Sequence, residues 1–170
     1  RRGEARCPSR GGRANATIQV LGPLARAGIV RRSRERRAIA DLVERLRVRM
    51  GSMEQPMQSL SGGNQQKVSL MRPFLRGDVK VILAEEPTQG VDVGARFDIY
   101  EALRAKVGEG IAAVVKSSDP IELAGLCDRV IVMSRGTIVE EIPGHELSER
   151  RIVEAIVGSR RRVTAGTGPA

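Results

Sequence analysis

The chain has 170 residues, 41% of them hydrophobic, and a net charge of +9 at neutral pH. That is enough for one ordinary domain, or a piece of one, with a buried core; aromatics at 2% leave Val, Ile, Leu, Met and Ala to fill it. No apolar run reaches the roughly 18 residues that span a bilayer, and no signal peptide is visible.

The charge is unevenly placed. Residues 1–50 hold fourteen Arg and four acids, a balance of +10, while the remaining fifteen basic and sixteen acidic residues leave −1. The basic third reads as a solvated lead-in. Its arginines have almost no aromatic company for stacking on bases, which argues against nucleic acid as a partner. Cys7 and Cys127 are the only thiols, and two unpaired cysteines suit a reducing compartment. His145, the single histidine, lies beside Pro143-Gly144 and reads as exposed, and no Cys/His spacing supports zinc.

In chain order, residues 1–14 carry no periodicity and read as irregular. Ile18 to Val30 is an apolar patch broken by Gly22-Pro23 and Gly28, which predicts two short turns or helices. From Ser33, a possible cap, to Met50 the apolar residues Ile39, Leu42, Val43, Leu46 and Met50 recur at spacings of three and four, the stripe of a helix. Ser59 to Gly63 is a turn, and Ser61 or Asn64 caps a helix running to about Leu75, which Gly77-Asp78 closes.

Val79 to Ala84 has the apolar composition of a strand buried in a parallel sheet. Asp92 to about Val107 is a helix with Val93, Phe97, Tyr100, Ala102 and Leu103 inside and Arg96, Glu101 and Arg104 outside. Ile111 to Val115 is a second strand, Pro120 to Leu126 a short helix that tolerates proline at its start, and Arg129 to Met133 a third strand. Ser134-Arg135-Gly136 turns the chain into an antiparallel partner, Thr137 to Glu140. Ser148 caps a last helix with Ile152, Ile156 and Val157 on its apolar side, and residues 159–170 read as a loose tail. Alternating strands and helices define an α/β class with a parallel sheet, whose ligands sit at the carboxyl ends of strands.

Two such ends carry chemistry, Glu85-Glu86 and Ser117-Ser118-Asp119. A Ser61-Gly62-Gly63 turn ahead of a helix gathers a hydroxyl, free amides and the positive helix end, a setting for a phosphate. Paired carboxylates after an apolar strand can hold magnesium through its waters and polarise an attacking water. Each motif alone is commonplace: a turn, or a pair of exposed strand-end acids. Their order and spacing together are specific.

Leu60-Ser61-Gly62-Gly63-Asn64-Gln65-Gln66 resembles the signature motif of ATP-binding-cassette ATPases, and Val81 to Glu86 resembles their Walker B strand. Pro87-Thr88 and a D-loop ending in Asp92 follow. The Gly-Gly-Asn-Gln-Gln-Lys form, Gly90-Val91-Asp92-Val93-Gly94-Ala95, Ser117-Ser118-Asp119 and Leu126 to Met133 are similar to the second cassette of bacterial simple-sugar importers. The likeness is strong from Ser59 to Gly158. It implies a partial cassette fold, P-loop NTPase-like: an irregular basic stretch at 1–16, a helical-subdomain remnant with the signature helix at 17–77, an α/β core at 78–158 and a disordered tail at 159–170.

The resemblance also implies roles. Ser61, Gly62 and Gly63 would contact the γ-phosphate of ATP held on an opposite cassette, with Gln65 in the same nucleotide-binding set. Glu86 would be the general base, Glu85 would take the position associated with Mg2+, Asp92 would communicate across a cassette dimer, and Ser118 would stand where most cassettes carry a switch histidine. Implied partners are a second cassette, a membrane permease and, indirectly, a sugar-binding protein, with the chain on the cytoplasmic face of the membrane.

Three departures stand out. No Gly-x-x-x-x-Gly-Lys-Ser/Thr occurs, and Gln19 lacks the context of a Q-loop. Glu85 replaces the family's usual Asp, one methylene shorter. Position 118 is Ser. The expectation is a fragment whose isolated form is inactive; the alternative is a non-catalytic partner that completes another subunit's ATP site.

Overall fold

The computed structural model describes residues 7–18, 20, 25–26, 29–30 and 32–165, grouped in two compact units, Arg1–Val114 and Val115–Ala170. Gln19 and the Gly22-Pro23 break lie outside the described residues.

The first unit opens with a short helix α1 (Gly12–Thr17) where the sequence read as irregular, and a two-residue hairpin of β1 (Ala25–Arg26) and β2 (Ile29–Val30) where turns or helices were expected. Asn15 explains the order around α1: it is fully buried, its Nδ2 donates to the carbonyls of Cys7, Arg10 and Gly11 at 2.9, 3.0 and 3.1 Å, and its Oδ1 accepts from the Cys7 amide at 2.8 Å. One side chain thus does the work of a turn, satisfying backbone groups that have no ladder.

Helix α2 spans Arg32–Arg45, so Ser33 is inside it rather than capping it, and it stops five residues before Met50. Arg47 sits at φ 48°, the Arg47 amide donates to Glu44 O at 3.0 Å and the Val48 amide to Val43 O at 2.8 Å. That pair of bonds is a Schellman ending, in which one left-handed residue closes the helix. Helix α3 (Gly62–Leu75) receives α1 and α2, burying Ile39, Leu42, Leu46, Val68 and Met71 with Ala16, Val48, Met57 and Leu60.

Strand β3 (Val81–Glu85) leads through α4 (Val93–Gly108) to β4 (Ala112–Lys116), with which it forms a parallel two-stranded sheet. The buried stripe of α4 is Ala95, Ile99 and Leu103; Val93 and Phe97, expected inside, are exposed and Tyr100 is half-buried. The strand likewise buries Ile82 but leaves Val81 and Leu83 exposed, Leu83 by 79%. An apolar run on both strand faces marks a sheet made to be covered twice, and the described residues cover one face.

In the second unit, α5 (Pro120–Leu126) is capped by Asp119, whose Oδ1 accepts from the amides of Ile121 at 3.0 Å and Glu122 at 3.4 Å. Strands β5 (Arg129–Ser134) and β6 (Thr137–Pro143, three residues longer than expected) pair antiparallel with a register shift at Val132/Met133. Arg135 at φ 49° and Gly136 at φ 80° make the tight hairpin turn. Ser148 Oγ accepts from the Arg151 amide at 3.2 Å, starting α6 (Glu149–Ala165). Ile152 and Ala155 pack on Val130, Val132 and Ile142, while Val157, placed on the apolar side from sequence, is exposed. The α6 backbone continues to Ala165, beyond the start of the expected tail at 159, because no glycine or proline interrupts it between Gly158 and Gly166.

Candidate functional site

Ser61 is the N-cap of α3, with extended backbone at φ −61° and ψ 156°. Its Oγ accepts from the Asn64 amide at 3.4 Å and from Asn64 Nδ2 at 2.9 Å. The first bond inside the helix is the Gln65 amide to Ser61 O at 2.9 Å, so the amides of Gly62 and Gly63 have no acceptor within the helix. Gln65 braces the turn from behind, its Nε2 donating to Leu60 O at 2.9 Å. Asn64 is held in turn, its Oδ1 accepting the Arg49 amide at 2.8 Å. The helix start is therefore a fixed, partly exposed set of donors with a positive end, suited to an anion.

The turn lies against the loop at Gly90–Asp92. A Cβ on Gly62 would stand 3.0 Å from Gly90 O; one on Gly63 would stand 2.8 Å from Ala95 Cβ and 3.4 Å from Asp92 Oδ2. Gly63 is buried and Gly62 exposed, so the second glycine lacks a side chain because its own fold fills that space. Gly90 has φ 73° and turns the loop; Asp92 then caps α4, its Oδ1 accepting from the Ala95 amide at 2.9 Å.

Behind these two helix starts is a charged cluster that sequence reasoning missed. Lys67 Nζ is 2.5 Å from Asp98 Oδ2 and donates to Arg47 O at 3.2 Å, and the Arg47 guanidinium reaches Asp98 Oδ1 at 2.8 Å and Glu101 at 3.2 Å. The Lys67 and Asp98 side chains are 6% and 15% exposed. Burial alone would raise the Asp98 pKa, but hydrogen bonds from Lys67 and Arg47 outweigh it and hold the carboxyl below its ordinary range. A depressed folded-state pKa stabilises above the unfolded value, and that contribution is lost as pH falls through the folded one, so the cluster is intact at neutral pH.

Glu85 ends β3 and is exposed; Glu86 follows, half-buried, at φ 46°. Left-handed backbone costs a residue with a Cβ about 1 kcal/mol or more, and such strain is typical of functional positions. The step is continued by the Gln89 amide to Glu86 O at 3.2 Å and the Val91 amide to Thr88 O at 3.3 Å, over the buried Pro87 and Thr88, which ties the carboxylate pair to the Gly90–Asp92 loop. Glu86→Gly should raise the unfolding free energy by about 1 kcal/mol in urea titrations, while Glu86→Ala, which keeps the Cβ, should not. Equal stability of the two variants would show that the backbone there is unstrained.

Among the described residues no group of three or more His, Cys, Asp or Glu could enclose a metal. An exposed Glu85 fits a magnesium ion that keeps most of its waters and rides on phosphates, not one held in a protein cage. Ser118 belongs to the second unit, beside Ser117, whose Oγ accepts from the Asp119 amide at 3.0 Å. The structure thus brings Ser61, Gly62, Gly63, Gln65 and Asp92 together, joins Glu85 and Glu86 to them through one loop, and describes Ser118 separately.

No family model matches the chain. Solved structures resembling it include MJ1267, an ATP-binding cassette of an ABC transporter, at TM-score 0.71 and 19% identity, covering 89% of this chain and 62% of that one. Another is a dimeric post-hydrolysis state of the cassette MJ0796 bound to ADP and Pi, at TM-score 0.69 and 20% identity, covering 81% and 58%. The fold, with a capped glycine turn on a loop that follows an apolar strand and two carboxylates, is that of an ATP-binding cassette.

Among curated proteins it is 49% identical over 139 residues to the ribose import ATP-binding protein RbsA 2 of Rhizobium meliloti (strain 1021), covering 81% of this chain and 25% of the relative. It is 42% identical over 138 residues to the arabinose import ATP-binding protein AraG of the same organism, covering 81% and 27%. Its homologues are therefore sugar-import ATP-binding proteins, and the chain spans about a quarter of their length.

Proposed function

We propose that the chain is part of the ATP-binding subunit of a carbohydrate importer, in which ATP hydrolysis by the whole protein drives sugar uptake. The observation that carries this reading is the turn at Ser61–Gly63, capped, braced by Gln65 and seated on Gly90–Asp92, in a chain 49% identical to a ribose import ATP-binding protein.

In this reading the amides of Gly62 and Gly63 and the Ser61 hydroxyl receive the γ-phosphate of ATP held on a second cassette. At the nucleotide site of this chain's own cassette in the whole protein, Glu86, held where β3 ends, accepts a proton from the attacking water, and Asp92 relays the state of one site to the other. Magnesium bound with the nucleotide would neutralise phosphate charge, and Glu85 would face it through water. Ser118, at the position where most cassettes carry a switch histidine, would face the γ-phosphate of that same own-cassette site. The partners are the second cassette and a permease, with a sugar-binding protein acting through the permease. The chain would lie at the inner face of the membrane; no helix among the described residues is long and apolar enough to cross it.

A second reading rests on the fully built glycine turn, the one part that such a role requires. Here the chain serves only to complete the ATP site of another subunit. Calorimetry of the 170 residues with magnesium-ATP should show weak binding or none; tight binding by the monomer would overturn both readings. The functional arm adds the chain to a sugar-import cassette with an intact phosphate loop and a disabled signature turn. ATPase activity should return with the wild-type chain and stay absent with Ser61→Arg.

A further inference from the structure

We propose that Lys67 and Asp98 are positioning residues, whose buried ion pair clamps the helix behind the Ser61–Gly63 turn to the helix behind the Gly90–Asp92 loop, so that turn and loop move as one body.

The geometry places two contacts between α3 and α4, one helical turn apart. At the open end, Gly63 meets Ala95 with no room for a Cβ, and Gly62 faces Gly90 O. Four residues further along α3, on the same face, Lys67 reaches Asp98, which lies three residues beyond Ala95 along α4. Close packing at the glycine end resists compression but not separation, because dispersion contacts fade within an ångström. The ion pair supplies the missing tension.

An apolar pair could stick the helices together as firmly, but it would tolerate sliding. A lysine confined to two acceptors, Asp98 Oδ2 at 2.5 Å and Arg47 O at 3.2 Å, fixes one register. Arg47 adds a second grip on Asp98 from the end of α2. Asn64 ties the same turn to the next stretch of chain through the Arg49 amide. The 47–49 segment therefore holds α3 through Lys67 and Asn64, and α4 through Asp98 and Glu101.

The use of such a clamp rests on the proposed function, since a turn that serves a nucleotide is useful only if its position reports the state of the loop beside it. The clamp itself does not. Amide hydrogen exchange on the 170-residue chain tests it directly, at denaturant concentrations that match global stability between variants. Lys67→Met should speed exchange about tenfold in both 62–66 and 89–95, while amides of Ile39 and Leu42 keep wild-type rates. Asp98→Asn should reproduce the pattern, and Lys67→Arg should restore protection to within about threefold.

Faster exchange in one window alone, or an equal rise at Ile39 and Leu42, would overturn the clamp. In the complementation assay, Lys67→Met should lower kcat with KM for ATP unchanged. Exchange that behaves as expected beside an inactive wild-type chain would sink the nucleotide reading and leave the clamp standing.

Discussion

Gly63→Ala is expected to lower the unfolding free energy by about 2 kcal/mol, although alanine is the better helix former by about 1 kcal/mol. The added methyl would sit 2.8 Å from the Cβ of Ala95, a group fixed to the α4 backbone, so a helix must move rather than a side chain. The Lys67–Asp98 pair one turn away opposes that movement. Gly77→Ala is the control: Gly77 is exposed, has nothing within 4 Å of a new Cβ, and should be neutral or stabilised by up to about 1 kcal/mol. Urea unfolding of the two variants side by side decides the matter; equal tolerance would mean that the glycine is not there for packing.

The largest loss is expected from Glu35→Ala, at about 3 kcal/mol. Glu35 is 3% exposed on α2, accepts Thr17 Oγ1 at 2.8 Å and pairs with Arg13 at 2.7 Å. Arg13 also holds Glu54 at 2.9 Å, so the cluster joins α1, α2 and the 50s loop. Removing the carboxylate leaves Thr17, 2% exposed, without an acceptor beyond Arg13 O, and leaves Arg13 with only the exposed Glu54. Replacing Glu35 by Gln should recover about half of the loss, since the amide still accepts from Thr17. Unfolding midpoints that fall equally for both variants would place the cost in charge alone.

Much of the site was legible because its signals are local. Ser61 ahead of two glycines and Ser148 ahead of Glu149 cap the helices they precede, as expected; Asp92, expected inside its helix, and Asp119 are caps as well. The hairpin at Arg135-Gly136 was equally plain, since its sequence has the residue type that left-handed turns need.

The misreadings have tertiary causes. On α4 the bulky residues Val93 and Phe97 outbid Ala95 in any hydrophobic pattern, yet Ala95 is the one small enough to meet Gly63. The end of α2 was missed because the closing residue is arginine where glycine is the usual sign. Lys67 and Asp98 are 31 residues apart and carry no local mark of each other. Asn15 organises α1 through bonds to the backbone of Cys7, Arg10 and Gly11, which leave no periodic mark in the sequence.

Arg47 shows what such a conflict costs. Its backbone would be more comfortable as glycine, but its side chain grips Asp98 and Glu101, and its carbonyl receives Lys67. The position is locally frustrated: the residue best for ending the helix is the worst for joining three segments. Substitutions there trade one benefit for the other, so single changes at Arg47 have few good destinations, and tolerated ones require a compensating change at Asp98 or Glu101.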